Sequence, residues 1–358
     1  MNKQKYYRLT NILKTKCDYY EIFGGRSDGK SYAVKELLLE DAILHNKEFA
    51  YCRRWEVDLK RGKVEKYFAD MGEVIKKFTK GEYDRISYYN EDIYLAKLND
   101  KNKIERGKVV GHACALTQEE HYKSLMFPLL YNILLEEMIT IEGYLANEAD
   151  IFMSLVSTLL RRRKGRVFLV GNSLLPVSPY FDYFGIDAER LEQGSITLVD
   201  FHTSEIDSDT GEERVIHLAV EYCAATGNNT QMIFSNKMIT SGKWQTSEHF
   251  HLPKSYNKYD LIYRLLVEHG KNFIVDLLVD RETGFPIVYI KPYIKEFDER
   301  PHIRRITTTV SLNPLHTPKL IGMELGFYDK KVVELWRQNK VAYSDNLTAE
   351  KFISINPF

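Results

Sequence analysis

Between residues 19 and 200 the chain alternates short apolar runs with amphipathic stretches, the rhythm of strand–helix units around a mainly parallel sheet. The apolar runs predict strands at 20–24, 48–53, 108–116, 130–136 and 166–172, and helical spacing predicts helices at 30–45, 57–79 and 148–160. The stretch 86–98 sets polar Asn90, Glu91 and Asp92 between aromatic-rich arms and predicts a hairpin insertion.

The texture changes after residue 202. Residues 203–213 carry five carboxylates and no basic residue, 226–231 is polar, and 242–258 is irregular. From 259 onward the pattern predicts a helix at 261–268, a strand pair at 273–280 and 285–290, and helices at 329–338 and 348–352. The organisation expected is an α/β domain at 1–202, a linker or lid region at 203–255, and a smaller α+β domain at 256–358.

Length and composition agree with two folded domains: 358 residues, 44% hydrophobic and 28% charged. No apolar run approaches the roughly 20 residues of a membrane span, so no membrane partner is expected. Residues 1–8 are polar and basic with no apolar core after them, so no secretory signal is expected either. Four cysteines lie far apart without a CxxC pair, against a disulfide framework or a cysteine zinc site. Fifty cations balance fifty anions, so a nucleic-acid partner must be held by a local patch.

The strongest chemical signal is Gly24, Gly25, Arg26, Ser27, Asp28, Gly29, Lys30 and Ser31, a full match to GxxxxGK[ST] between an expected strand and an expected helix. Glycines let the backbone N–H groups form a nest for phosphate oxygens, and Lys30 reaches the β- and γ-phosphates. Ser31 offers a hydroxyl to Mg²⁺, and the helix presents its positive end. The pattern implies ATP or another nucleoside triphosphate, with Mg²⁺. Arg26, inside the loop, can lean on the γ-phosphate or pack the loop.

The strand at 130–136 ends in two acids. Glu136 is expected at the metal position and Glu137 as the acid that polarises the attacking water, although most such motifs carry Asp first. Asn172, at the tip of the strand at 166–172, is a candidate sensor of the γ-phosphate. The extra strand at 108–116 is compatible, by fold analogy, with the additional-strand, catalytic-Glu class of P-loop NTPases. Residues 161–166 hold five cations. They read as a solvated face, as an arginine finger for a neighbouring subunit with Arg161 and Arg163 as candidates, or as a contact to DNA phosphates. Arg53 and Arg54, at the end of the second strand, read as nucleotide or DNA contacts or as a surface ion pair.

With these residues in view, the chain resembles the DNA-packaging ATPases of small tailed phages with protein-primed genomes, relatives of terminase large subunits. The likeness runs through GGRSDGKS (24–31), AYCRRWEVDL (50–59), ILLEEMI (133–139), the Arg-rich turn at 161–166 and VGNSLLPVSPYF (170–181). Beyond residue 200 it is faint, chiefly at 273–290. The resemblance implies ATP-driven translocation of double-stranded DNA into an empty capsid by a homomeric ring, a pentamer, docked on the portal. It implies action in the host cytoplasm, with a structural RNA as a further partner.

It also implies a C-terminal RNase H-like domain in which an active nuclease would need several carboxylates around two metals. Asp276 and Asp280 share a strand face, with Glu296, Asp298, Asp329 and Asp345 following. Surface acids are commoner than such sites, and the domain is expected to be a nuclease remnant. The alternatives are a terminase with active nuclease, another P-loop DNA motor, or a docking protein that keeps nucleotide as a structural ligand.

Overall fold

The computed structural model describes residues 6–140, 143–161, 163–173, 176–206, 211, 213–224, 248–269, 271–293, 304–307 and 326–355. The chain divides into two units, 1–245 and 246–358.

The first unit follows the order β1 (Tyr19–Gly24), α1 (Lys30–Leu44), β2 (Glu48–Arg53), α2 (Arg61–Tyr67), α3 (Gly72–Thr79), β3 (Arg85–Tyr89), β4 (Asp92–Leu98) and β5 (Ile104–Ala115). It continues through α4 (Glu119–Tyr122), β6 (Leu130–Glu136), α5 (Glu148–Leu160), β7 (Arg166–Asn172), α6 (Pro179–Tyr183), β8 (Ser195–Ile206) and β9 (Glu213–Tyr222). Its nine strands form one sheet in the order β3-β4-β5-β2-β6-β7-β1-β9-β8. The run from β5 to β9 is parallel throughout, and the two ends are antiparallel. The expected mainly parallel α/β sheet is therefore present.

Burial explains the sequence pattern. Every residue of β1 is buried, because it lies between β7 and β9 with side chains packed on both faces, and its run is continuously apolar except for Glu21. One core layer gathers Ile22, Val34, Leu38 and Phe68, and the other gathers Phe23, Leu135, Phe152 and Phe181. The hairpin expected at 86–98 is β3–β4, and its turn residues Asn90 and Glu91 both have positive φ.

Two expectations for this unit are corrected. The helix expected at 57–79 is broken into α2 and α3 by 3₁₀ turns. Its middle is taken by an aromatic cluster, with Tyr67 stacked 4.5 Å from Tyr51 and Phe68 edge-on to both. The first domain's expected end at 202 falls inside β8, and β9, from the expected linker, pairs with β1 along Tyr19–Phe23, while the division at 245/246 lies within the expected 203–255 region. The acid-rich segment has the composition of a linker but lies in sequence between two sheet strands. Its residues 207–210 and 212, and the breaks at 226–231 and 242–247, lie outside the described residues.

The second unit contains β10 (Tyr259–His269), β11 (Lys271–Asp280), β12 (Pro286–Pro292), β13 (Arg304–Thr307), α7 (Phe327–Arg337), β14 (Val341–Tyr343) and α8 (Asn346–Ile355). Its sheet runs β13-β10-β11-β12-β14, which is the α+β character expected. The helix expected at 261–268 is instead strand β10. A register shift between Leu261 and Tyr263 interrupts its alternation and leaves apolar residues at spacings that mimic a helical stripe.

Candidate nucleotide site

The expected phosphate loop, residues 24–31, leaves the C-terminal end of β1 and leads into α1. Ser27 and Gly29 have φ of 65° and 92°, the left-handed conformations that anion-binding backbone nests use. Gly29 caps α1 in a conformation that a side chain would strain. At Gly24, a Cβ would come within 2.8 Å of the Cys223 Cβ, so β9 can approach only a glycine there.

Lys30 is buried, and its ammonium donates to the Gly25 carbonyl and, at 3.5 Å, to Asn172 Oδ1. Burial pulls its pKa down, while Asp28 and Glu136 pull it up. Both bonded acceptors are neutral, so among the described residues this buried cation has no bonded anion, the state that a phosphate would complete. Asn172 reaches it because β7 runs beside β1 with Gly24 opposite Asn172.

Glu136 ends β6, and its Oε1 accepts a 2.5 Å bond from the Tyr67 hydroxyl, with Ser31 also in hydrogen-bonding reach. Burial pushes its carboxyl up, against the pull of those hydrogen bonds and of Arg53 and Lys35. Ser31 and Glu136 together supply hard oxygen donors. Mg²⁺ keeps waters and takes few protein ligands beside substrate phosphates, so two such residues fit it. No larger group of acid, His or Cys side chains is arranged for a metal among the described residues.

Glu137 has φ of 60°, rare for a non-glycine residue, and its half-exposed carboxylate is ion-paired with Arg53 at 2.8 Å. Arg53 also meets Asp58 at 3.5 Å. Arg54 is no surface contact. It is buried, forms two bonds of 2.6 and 2.7 Å to buried Glu148, and donates at 3.1 Å to the carbonyl of Glu137.

The loop, Ser31, Glu136 and Asn172 thus come together, with Glu137 directly after Glu136. Arg26 is exposed in the loop. Arg161 and Arg163 are not part of this cluster. They precede β7, whereas the phosphate loop follows β1 at the other end of the paired strands, about 20 Å away for six residues. Arg161 donates to the carbonyls of Lys123 and Leu125 at 2.8 and 2.9 Å. Arg163 donates to those of Leu159, Leu160, Phe127 and Pro128. Arg162 lies outside the described residues, and Arg166 is bound to Asp41 and Asn132. Lys123 pairs with Glu120 at 2.6 Å.

Sequence reasoning missed Tyr67, whose place depends on the break between α2 and α3. It also missed Glu148, which looks like any acid in a first helical turn.

In the second unit Asp276 is fully buried, held bidentately by Arg264 and bonded by the Tyr256 hydroxyl at 2.7 Å, with Lys291 at 3.3 Å. Asp280 pairs with Lys254, Asp329 caps α7 and Asp345 caps α8. Glu296 and Asp298 lie outside the described residues.

The podovirus DNA encapsidation protein (Gp16) family matches residues 1–239. A DNA packaging protein of Bacillus phage B103 is 31% identical over 169 residues, 46% of this chain and 47% of that protein. The DNA packaging protein of Bacillus phage phi29 is 27% identical over 190 residues, 52% of each. The chain thus spans about half the length of the curated relatives it matches. Among solved structures, the Phi-28 gp11 DNA packaging motor has a TM-score of 0.56 at 17% identity, covering 99% of both chains. The bacteriophage Phi-29 genome packaging motor assembly also has 0.56, at 18% identity over 98% of this chain and 99% of that one. These two structures share the fold, and with two thirds of the sequence matched by the family, the chain belongs to the podovirus DNA encapsidation proteins.

Proposed function

We propose that this protein is an ATP-hydrolysing motor subunit that drives double-stranded viral DNA into a preformed capsid. The observation that carries the reading is buried Lys30, poised between the phosphate loop and Asn172 with Ser31 and Glu136 beside it. A bound Mg²⁺ would neutralise charge on the transferring phosphoryl group, and Ser31 and Glu136 would hold it. Lys30 and the loop N–H groups orient the β- and γ-phosphates. Glu137 takes the proton of the attacking water once its carboxylate leaves Arg53, as expected of an additional-strand, catalytic-Glu ATPase. Asn172, already bonded to Lys30, reads whether the γ-phosphate is present.

The packaging role draws on family membership. It carries the homomeric ring, a pentamer, and docking on the portal in the infected host's cytoplasm. A finger acts in trans, so distance from its own site is no objection to Arg161 or Arg163. Arg163 would have to abandon four carbonyls and Arg161 only two, which favours Arg161. For the C-terminal unit, the cations already bound to Asp276 fill the place a metal would need, which supports a nuclease-like remnant that does not cut.

The test is ATP turnover by the purified protein with and without linear double-stranded DNA, beside Glu137→Gln. Turnover that rises with DNA and is abolished in the variant is expected. Turnover indifferent to DNA would sink the motor reading.

A further inference from the structure

Lys35 is buried on α1, one turn beyond Ser31, so the two side chains leave the same helix face. Val34, Leu38 and Leu39 are buried along the same helix, and an apolar side chain at 35 would fill its space without desolvating an ammonium. What the ammonium holds offsets that cost. It donates at 2.7 Å to the carbonyl of Tyr67, the last residue of α2, and at 2.6 Å to Asp70 Oδ1. The last carbonyls of a helix have no partner within it, so Lys35 caps α2 from another element. It also lies 4.6 Å from the centre of the Tyr67 ring.

One cation therefore grips Tyr67 by its backbone and by its ring. The ring is stacked 4.5 Å from Tyr51 of β2, and its hydroxyl donates at 2.5 Å to Glu136 Oε1. Glu136 in turn lies in hydrogen-bonding reach of Ser31, which closes a circuit through α1, α2 and β6. The orientation of the Glu136 carboxylate thus depends on where α2 ends. Lys35 fixes that end to the helix that carries Ser31.

We propose that Lys35 is a positioning residue for Mg²⁺: through Tyr67 it holds Glu136 beside Ser31, so that the two oxygen donors are paired before ion and nucleotide arrive. This assignment rests on the reading of Ser31 and Glu136 as the Mg²⁺ pair, and the experiment separates the two. ATP binding is measured by calorimetry on the full chain, in EDTA and again in saturating Mg²⁺. The proteins are the parent, Lys35→Met, Lys35→Arg, Tyr67→Phe and the double variant Lys35→Met, Tyr67→Phe.

Partners that orient a metal ligand are worth roughly tenfold to a hundredfold in metal affinity. The parent should bind ATP roughly tenfold or more tightly with Mg²⁺, and Lys35→Met should lose most of that gain. It should bind metal-free ATP as the parent does, a readout that also shows it is folded. Lys35→Arg, with donors for both acceptors, should keep most of the gain. The double variant should lose no more than the larger single loss, because Lys35 acts through the Tyr67 hydroxyl. An undiminished gain in Lys35→Met, Lys35→Arg no better than Lys35→Met, or losses that add in the double variant would overturn the positioning role. Metal-free binding lost in both Lys35 variants would place Lys35 in the fold instead and overturn it too. A parent that binds ATP equally with and without Mg²⁺ would remove the metal pair itself, and the role of Lys35 with it.

Discussion

Arg54 and Glu148, 94 positions apart in sequence, meet in a buried two-bond ion pair. The Glu148 carboxylate also accepts from the Tyr180 hydroxyl and the Leu145 N–H, each at 2.9 Å, and Arg54 reaches on to the Glu137 carbonyl. One buried network therefore joins the end of β2, α5 and α6 to Glu137.

Breaking such a pair from one side leaves an uncompensated buried charge. Glu148→Gln is expected to destabilise the first unit by about 3–5 kcal/mol, and Arg54→Met by a similar amount. The double variant Arg54→Met, Glu148→Gln should cost less than the sum. Urea denaturation of the four proteins reads the coupling, and strictly additive losses would show that the pair is not a unit.

Glu21 sits in the middle of β1 with no exposure, and neither carboxyl oxygen has a hydrogen-bond partner among the described residues. Burial pushes its pKa up to about 8. An acid raised on folding costs nothing below its unfolded value, and the cost grows as pH climbs from there toward the folded value. At pH 7 the penalty is about 3 kcal/mol. Glu21→Leu should therefore be more stable than the parent at pH 8, with a gap that shrinks toward pH 5. A pH-independent gap in denaturation midpoint would contradict this.

The Tyr67 hydroxyl bonds the Glu136 carboxylate, which also lies within reach of Ser31. Tyr67→Phe removes one bond to a charged acceptor, worth about 1.5–3 kcal/mol, and frees the carboxylate to rotate. The Mg²⁺ concentration needed for half-maximal turnover should rise about tenfold, with metal-free nucleotide binding little changed. An unaltered Mg²⁺ dependence would separate Tyr67 from the metal site.

Arg161 and Arg163 make opposite predictions. Arg163→Ala unbolts the 127–128 backbone and should destabilise the fold by about 1–3 kcal/mol. Arg161→Ala should leave the fold nearly intact and abolish turnover. Mixing it with Lys30→Ala subunits should restore part of the activity, because each supplies what its neighbour lacks. No recovery in mixed assemblies would remove Arg161 as a trans-acting finger.

The placing of residues 24–31, Glu136 and Asn172 at neighbouring strand ends was legible because its signals are local. GxxxxGK[ST] fixes four positions within eight consecutive ones, and the acid pair and Asn172 end strands whose apolar runs are plain. What escaped depends on long-range pairing. Tyr67 required a helix break imposed by ring packing on Tyr51 and Phe68. Arg54 required a partner in another helix. β9 was hidden because the acid-rich sequence before it has the composition of a linker, and β10 because one bulge erased its period of two.

The insertion of β9 beside β1 has a consequence for how the chain is made. The strand carrying the phosphate loop is flanked on one side by residues 166–172 and on the other by residues 213–222. Domains fold as units during synthesis, so a ribosome that has released only the first 200 residues holds a chain whose central strand still has an open edge. Residues 24–31 therefore reach their final packing, with Cys223 against Gly24, only after translation has carried β9 clear of the exit tunnel, although they themselves emerge among the first 31 residues.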